Sequence, residues 1–387
     1  MTDIRPLPAR VLPLAGESLL SLLRRTIEVM GYEGFDRLRF VLSETGKLPW
    51  NINSLGHSPV FDHLASLLGT SHEVLRDLTF DGYASHLVLV SRQEPLAKAC
   101  DSKTLLKYFT AEPFPVCPVC LRQDPIPYER LSWCFRAMPV CREHRCWLLS
   151  HCPSCGKRLQ SFRPKATNCR CGCMLADQVP PTLDGCAVQA MDTLHALFLS
   201  RTSILTGMEP PAMCWWTERL ASAVGKTPYS IEATRSRLGL EASVSTRHVA
   251  WLAAGDIVGN WPEGLYRFLD QVRNREKPDS SSIGFGFRFR LLLRDAAQLE
   301  NLGYATPAQA IRDYLADDMA VGHLGPKVSL FKQAAEDSQL RRRDWITQTE
   351  AARRLNVRNP LVRRLIEQGI LSGQVQTTTK SGRTVAV

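Results

Sequence analysis

Cys117-Pro-Val-Cys120 and Cys141-Arg-Glu-His144 each place two metal-binding donors around two intervening residues. Cys152-Pro-Ser-Cys155-Gly156 repeats the knuckle, and Cys169-Arg-Cys171-Gly172-Cys173 follows it. Two sulfurs so spaced reach one metal without strain, as Zn–S bonds of ~2.3 Å require. The pattern predicts a first site of Cys117, Cys120, Cys141 and His144 and a second of Cys152, Cys155, Cys169 and Cys171. Cys173 competes with Cys171 for the last position. Four protein ligands leave no open position for water, which is the arrangement of structural rather than catalytic zinc. Two such ions per chain, each contributing on the order of 10 kcal/mol, would hold a segment with little apolar core. Cys134 and Cys146 fit neither set and read as small buried hydrophobes. Trp133, Trp147, Leu148 and Leu149 read as a mini-core between the sites.

Other cysteine chemistries fit less well. A thioredoxin-like redox pair needs one knuckle beside a strand–helix unit and leaves the downstream donors unexplained. A zinc deaminase needs His-x-Glu, which the chain lacks. Iron–sulfur ligation is compatible with four cysteines, but His144 fits zinc better. Nor is there a phosphate-binding Gly-x4-Gly-Lys-Ser/Thr, a His-Glu-x-x-His or a Gly-x-Ser-x-Gly. A scattered-acid active site leaves no such motif.

Position says more than totals. The chain has 387 residues, 13 cysteines and a net charge of +10. Ten of the cysteines fall between Cys117 and Cys173, which argues for metal and against a secreted disulfide scaffold. Residues 341–387 carry nine Arg and one Lys against Asp344, Glu350 and Glu367, a net of +7. With 44% apolar and 22% charged residues the chain is globular, not disordered. No apolar run approaches the ~20 residues of a membrane span, and the start shows no signal peptide, so the expectation is a soluble cytoplasmic protein.

The elements that must position these residues are helical. Glu17 to about Met30 carries Leu19, Leu22, Leu23, Ile27 and Met30 at helical spacing, implying one buried face, and Gly31 can end the helix. Val60–Phe80 reads as two short helices around Gly69-Thr-Ser, compatible with a helix-turn-helix or an ordinary hairpin. His57, His63, His72 and His86 show no ligand spacing. Val244–Gly255, Glu263–Val272 and Phe289–Leu302 are amphipathic, with Trp215, Trp216, Trp251 and Trp261 packing their core.

The basic tail has its own architecture. Thr347-Gln-Thr-Glu350 is a capping box opening a helix through Leu355. Asn356–Asn359 turns the chain, Pro360 opens a second helix and Gly369 stops it. Ala352, Leu355, Val357, Val362, Leu365 and Ile366 are the inward positions of a helix-turn-helix. Val375–Thr379 and Thr384–Val387 flank a basic tip as a wing. Arg341, Arg342, Arg343, Arg358, Arg363, Arg364, Lys380 and Arg383 are the candidate nucleic-acid contacts. A small scaffold with solvated arginines, or a protein-binding surface, is the alternative.

The order Cys-Pro-x-Cys-Leu, Trp, Cys-x-x-His, Cys-Pro-x-Cys-Gly, Cys-x-Cys-Gly resembles the TniQ/TnsD family. Pro13-Leu-Ala-Gly-Glu17-Ser-Leu-Leu-Ser is similar to that family's opening, and Gly259-Asn-Trp261-Pro262 to a segment of its C-terminal half. The extra Cys173 departs from the pattern. The resemblance implies a non-enzymatic selector of transposon target sites. Such a protein engages target DNA or an RNA-guided CRISPR effector complex, and recruits an AAA+ ATPase regulator that licenses the transposase. It also implies a homodimer, with no membrane partner, in the bacterial cytoplasm. The alternative from another class is a zinc-containing winged-helix transcriptional regulator. The expected architecture is mainly α. It comprises a helical N-terminal domain (1–110), a double zinc-finger module (111–180), a helical domain (181–340) and a basic winged-helix-like helix-turn-helix unit (341–387).

Overall fold

The computed structural model describes residues 6–32, 35, 52–54, 60–87, 108–109, 114–163, 165–183, 185–273, 290–320, 348–371, 375–376 and 385–386. Over these residues the protein is mainly helical, as the sequence predicts. Its contacts divide it into two compact units. One holds residues 1–204, 209–225 and 231–259, the other 205–208, 226–230 and 260–387.

The first unit opens with α1 (Leu19–Val29). Ser18 caps it by accepting a hydrogen bond from the Ser21 amide, and Gly31, at φ +68°, lets the chain leave in a left-handed turn. Its burial exceeds the single apolar face expected. Every residue from Leu19 to Ile27 is buried, Arg24 and Arg25 included. The polar face is tolerated because its charges are paired. Arg25 Nη1 lies 2.6 Å from Glu17 Oε2. Arg24 pairs with Glu129, which also pairs with Arg163, and the Arg24 guanidinium donates to the carbonyls of Ser161 and Arg163.

The Gly16-Glu17-Ser18 opening thereby acquires a structural reason. Gly16 adopts φ +67° and its carbonyl accepts from the Leu131 amide, while the Ser18 amide donates to the Glu129 carbonyl. Glu17, wholly buried, also accepts from the Leu14 amide and the Ser21 hydroxyl. Burial raises its pKa against the pull of these bonds and of Arg25.

The expected pair of short helices forms as α2 (Val60–Leu68) and α3 (His72–Asp77), with Ser71 capping the second. Leu75 and Leu78 are buried, but Val74 faces outward. After α4 (Ala84–Leu87), the chain adds α5 (Pro118–Gln123), α6 (Cys186–Phe198) and α7 (Pro210–Gly225). Then come α8 (Pro228–Leu238), inside which the boundary between the units falls, and α9 (Thr246–Gly259).

Helices α6, α7 and α9 pack together. The α6–α9 approach is close enough to demand Gly255, where an added Cβ would overlap the Ala190 carbonyl oxygen and stand 2.9 Å from Leu194 Cγ. A chain of aromatic rings joins distant segments of this unit. Phe80 stacks on Phe109 at 3.9 Å, Phe109 meets Phe135 at 4.3 Å, and Phe135, Phe198 and Trp251 continue it. Trp216 is fully buried, whereas Trp215 is half-buried under the Arg219 guanidinium.

The second unit contains α10 (Glu263–Arg273), α11 (Arg290–Asn301) and α12 (Thr306–Ala320). The Tyr314 hydroxyl donates to Asp270 at 2.8 Å, and Arg312 pairs with Glu300. Half-buried Trp261 opens this unit through a cis bond to Pro262. Further along lie α13 (Gln348–Arg354), α14 (Asn359–Glu367) and an antiparallel ladder of β1 (Val375–Gln376) and β2 (Val385–Ala386). Val375 pairs with Ala386 and Gln376 with Val385. Ala352 and Val362 are buried, but Leu355, expected inward, is 46% exposed. Helix α13 ends at Arg354, and Asn356 at φ 53° turns the chain just after it, so Leu355 leaves the buried face.

No helix among the described residues is long and apolar enough to cross a membrane.

Candidate metal centre

Each knuckle is a tight turn closed by a backbone hydrogen bond. The Arg145 amide donates to the Cys141 carbonyl at 2.9 Å, Gly156 to Cys152 at 2.9 Å and Gly172 to Cys169 at 3.0 Å. In all three the donor residue has positive φ: Arg145 at 49°, Gly156 at 68° and Gly172 at 88°. Glycine supplies that conformation without cost at two of the turns, and Arg145 adopts it at the first site. The fourth knuckle starts a helix instead. Cys117 caps α5, with Pro118 in its first turn, and its sulfur accepts from the Cys120 amide at 3.4 Å.

These turns bring the predicted donors into two groups, Cys117–Cys120–Cys141–His144 and Cys152–Cys155–Cys169–Cys171. Within each, the ligand atoms all lie within 4.8 Å of one another. A tetrahedral zinc with Zn–S of ~2.3 Å and Zn–N of ~2.0–2.1 Å implies S···S near ~3.8 Å and S···N near ~3.5 Å. At the first group Cys120 Sγ is 3.6 Å from Cys141 Sγ. His144 Nδ1 lies 3.6, 3.2 and 3.7 Å from the sulfurs of Cys117, Cys120 and Cys141. At the second, Cys152 to Cys171 is 3.6 Å and Cys155 to Cys169 is 3.9 Å. Donor identity and spacing fit zinc at both. With three or four sulfurs each, the ion would hold the fold and leave no position for a reacting water.

Thiol acidities follow the same geometry. Burial opposes ionisation of Cys152, but the amides of Cys155 and Ser154 donate to its sulfur and bring it down to about 6. Cys117 is lowered by hydrogen bonds from the thiols of Cys120, Cys141 and Cys146. Cys134 is pushed up to about 12 by burial, in keeping with an inert thiol beside Asn53 Nδ2.

Surrounding residues orient these donors. His144 Nε2 lies 2.7 Å from Gln123 Oε1, so Nε2 carries the proton and Nδ1 is free to bind metal. Gln123 sits three residues after Cys120 on α5, a spacing that puts both on one helix face and offered a legible signal. Glu143 Oε2 is 3.6 Å from Cys120 Sγ and 3.3 Å from Arg130. Arg130 also grips Asp124 through two bonds and lies over the rings of Tyr128 and Trp133.

Of two neighbours, Cys146 is the buried non-ligand expected, and Trp147 departs from expectation. Cys146 is buried but its sulfur stands 3.6 Å from Cys117 Sγ, against the first group. Trp147 lies outside the apolar cluster that Trp133, Leu148 and Leu149 share with the ligands, and its ring stacks instead on His248 at 6.0 Å. Cys173 packs at the edge of that cluster, 3.9 Å from Gln178 Nε2.

Of the basic tail residues, Arg358 stands at the N-cap of α14 and Arg364 in its last turn, both exposed. Arg363 lies on α14, its side chain outside the described set. Arg341, Arg342, Arg343, Lys380 and Arg383 lie outside the described residues, as do Thr347 and the tip between β1 and β2.

Residues 8–148 match the TniQ family model. That stretch of the chain is similar to a TniQ domain. The matched stretch contains α1, the Arg25–Glu17 and Arg24–Glu129 ion pairs and the whole first donor group, and it stops short of the second. A TniQ domain implies a transposition-associated role in target selection. It does not favour the transcriptional-regulator reading. No curated protein matches the chain.

Proposed function

We propose that the chain is a non-enzymatic adaptor linking target DNA, or an RNA-guided CRISPR effector complex, to an AAA+ ATPase regulator and its transposase. The observation that carries this reading is the TniQ match over residues 8–148. The two closed donor groups support it: each zinc is a scaffold ion, and each site lacks the open position of a catalytic metal. In this reading the N-terminal, zinc-bearing and middle helical segments present partner surfaces, and two copies of the chain assemble.

The tail is the DNA- or guide-RNA-contacting part of the proposal. Helices α13 and α14 with the β1–β2 ladder have the order of a winged helix-turn-helix. The start of α14, with Arg358 at its cap and Arg363 and Arg364 on the helix, suits a phosphate backbone. Changing Arg363 and Arg364 to Ala should weaken DNA binding and flatten its salt dependence. Unchanged affinity would assign the tail to protein contact.

The experiment for the whole reading is co-purification with a transposon AAA+ ATPase regulator. Retention of the ATPase supports the adaptor, and failure to bind any such ATPase removes it. CRISPR effector genes beside the chain's gene, without adaptation genes, would specify RNA guidance.

A further inference from the structure

A second concentration of positive charge lies within the first unit. A groove of about 600 Å³ is lined by the zinc-bearing segment on one side and by Ser245–His248, at the start of α9, on the other. Arg136, Arg158, Arg247 and His151 line it over Trp133 and Leu148, and its lining contains neither Asp nor Glu.

Three observations mark this groove as an anion site. The first is missing countercharge. Several arginines elsewhere in the unit meet carboxylates, as Arg24 does Glu129, Arg25 Glu17, Arg130 Asp124 and Arg237 Asp256, while Arg122 and Arg170 meet only carbonyls. Among the described residues, none of the three groove arginines forms an ion pair. The Arg136 guanidinium donates to the Phe109 carbonyl, at 2.6 Å. The like charges also act on one another. Burial and then Arg247 lower the pKa of Arg136, and the same two causes bring His248 down to about 4.

The second observation is a helix start. Ser245 caps α9 by accepting from the His248 amide at 3.3 Å, so the first turn of a 14-residue helix opens beside Arg247 and the hydroxyls of Ser150 and Thr246. The third is exposure. Arg158, Arg247 and His151 are exposed. A small-ligand pocket would enclose most of its occupant, whereas an open rim of cations suits a chain of phosphates passing across it.

The second metal centre builds one side of this rim. His151 and Arg158 face each other in an antiparallel bridge that closes around the Cys152–Cys155 knuckle.

We propose that this groove seats the phosphodiester backbone of a nucleic acid, with Arg158 and Arg247 on separate phosphates and the start of α9 on a neighbouring one. The contact is distinct from the tail, and it stands whether or not the chain recruits an ATPase.

The test uses the full chain and a fluorescein-labelled DNA duplex of arbitrary sequence, with affinity measured by anisotropy across a series of salt concentrations. Each lost phosphate contact lowers the log–log salt slope by about 0.9. The R158A/R247A variant should therefore lose about two units of slope and about tenfold in low-salt affinity. It should do so in the wild-type background and again beside R358A/R364A. R158K/R247K, which keeps the charges, should retain most of the slope. Zinc content and melting temperature should match wild type in all. Unchanged slope and affinity in R158A/R247A overturns the proposal, as does loss of all salt dependence in R358A/R364A alone. An acidic protein segment is the competing occupant. If R158A/R247A keeps its DNA affinity but loses binding to fluorescein-labelled poly-glutamate, the groove is a protein site and the nucleic-acid assignment fails.

Discussion

Gln123 Oε1 lies 2.7 Å from His144 Nε2, while Nδ1 of the same ring faces three sulfurs. One hydrogen bond thus sets which nitrogen of His144 is available to a metal. Its partner stands on the helix that also carries Cys120.

Removing that bond should loosen the first centre without dismantling it. Q123L is expected to weaken zinc binding at one of two sites by about 10–100-fold, the usual cost of losing such a partner. Competition with a chromophoric chelator would show one weakened and one unaffected zinc. Two unaffected zincs would mean that His144 is oriented by its packing alone.

Direct removal of a ligand tests the donor sets themselves. C117S and C152S should each lower bound zinc from two per chain to one, read by elemental analysis of the purified protein. Each should also destabilise it severely, since a structural zinc contributes on the order of 10 kcal/mol. Metal content that stayed at two in either variant would overturn that donor set.

The buried pair of Arg24 and Arg163 on Glu129 makes a sharper claim about stability. E129A strands two buried guanidinium groups and should cost about 3–5 kcal/mol in urea unfolding. Replacing all three residues together, as R24M/E129L/R163M, should cost far less, because no buried charge is left without a partner. Equal losses in the two variants would show that packing rather than charge pairing sets the cost.

His195 on α6 gives the pH dependence a direction. Burial, and then the charge of Arg142, pull it from 6.5 to about 4, so the fold keeps it neutral. Below pH 6.5 the unfolded chain takes up a proton that the folded one refuses. The stability present above 6.5 is therefore lost as pH falls towards 4, by at most about 3 kcal/mol. H195Q should flatten the drop in melting temperature between pH 7 and pH 5 relative to wild type. Parallel curves for the two proteins would assign the acid sensitivity elsewhere.

The donor groups were legible because they are local. Each is two short-range pairs, and the turns that close them need only glycine or a left-handed residue at the right offset. The end of α1 at Gly31, the Gly69 turn and the order α13–α14–ladder were legible for the same reason. What joins distant segments was not. Nothing in the spacing of Arg24, Glu129 and Arg163 announces that they meet, and the groove arginines come from three separate stretches. Trp147 was misread because its neighbours in sequence are core, while its partner in space, His248, is 101 positions away. Leu355 was misread because a helix pattern was carried one residue past the helix end. Only Gln123 had a local signal that went unused.

The TniQ match ends at residue 148, yet Arg163 reaches the Glu129 carboxylate from beyond that limit, and Arg24 on α1 donates to the carbonyls of Ser161 and Arg163. The homology boundary is therefore not a folding boundary. A fragment cut at residue 148 would keep the complete first donor group but leave an arginine without two of its acceptors and a glutamate short of one cation. The stretch leading into the second finger is thus the keystone for a helix some 140 positions earlier in the chain.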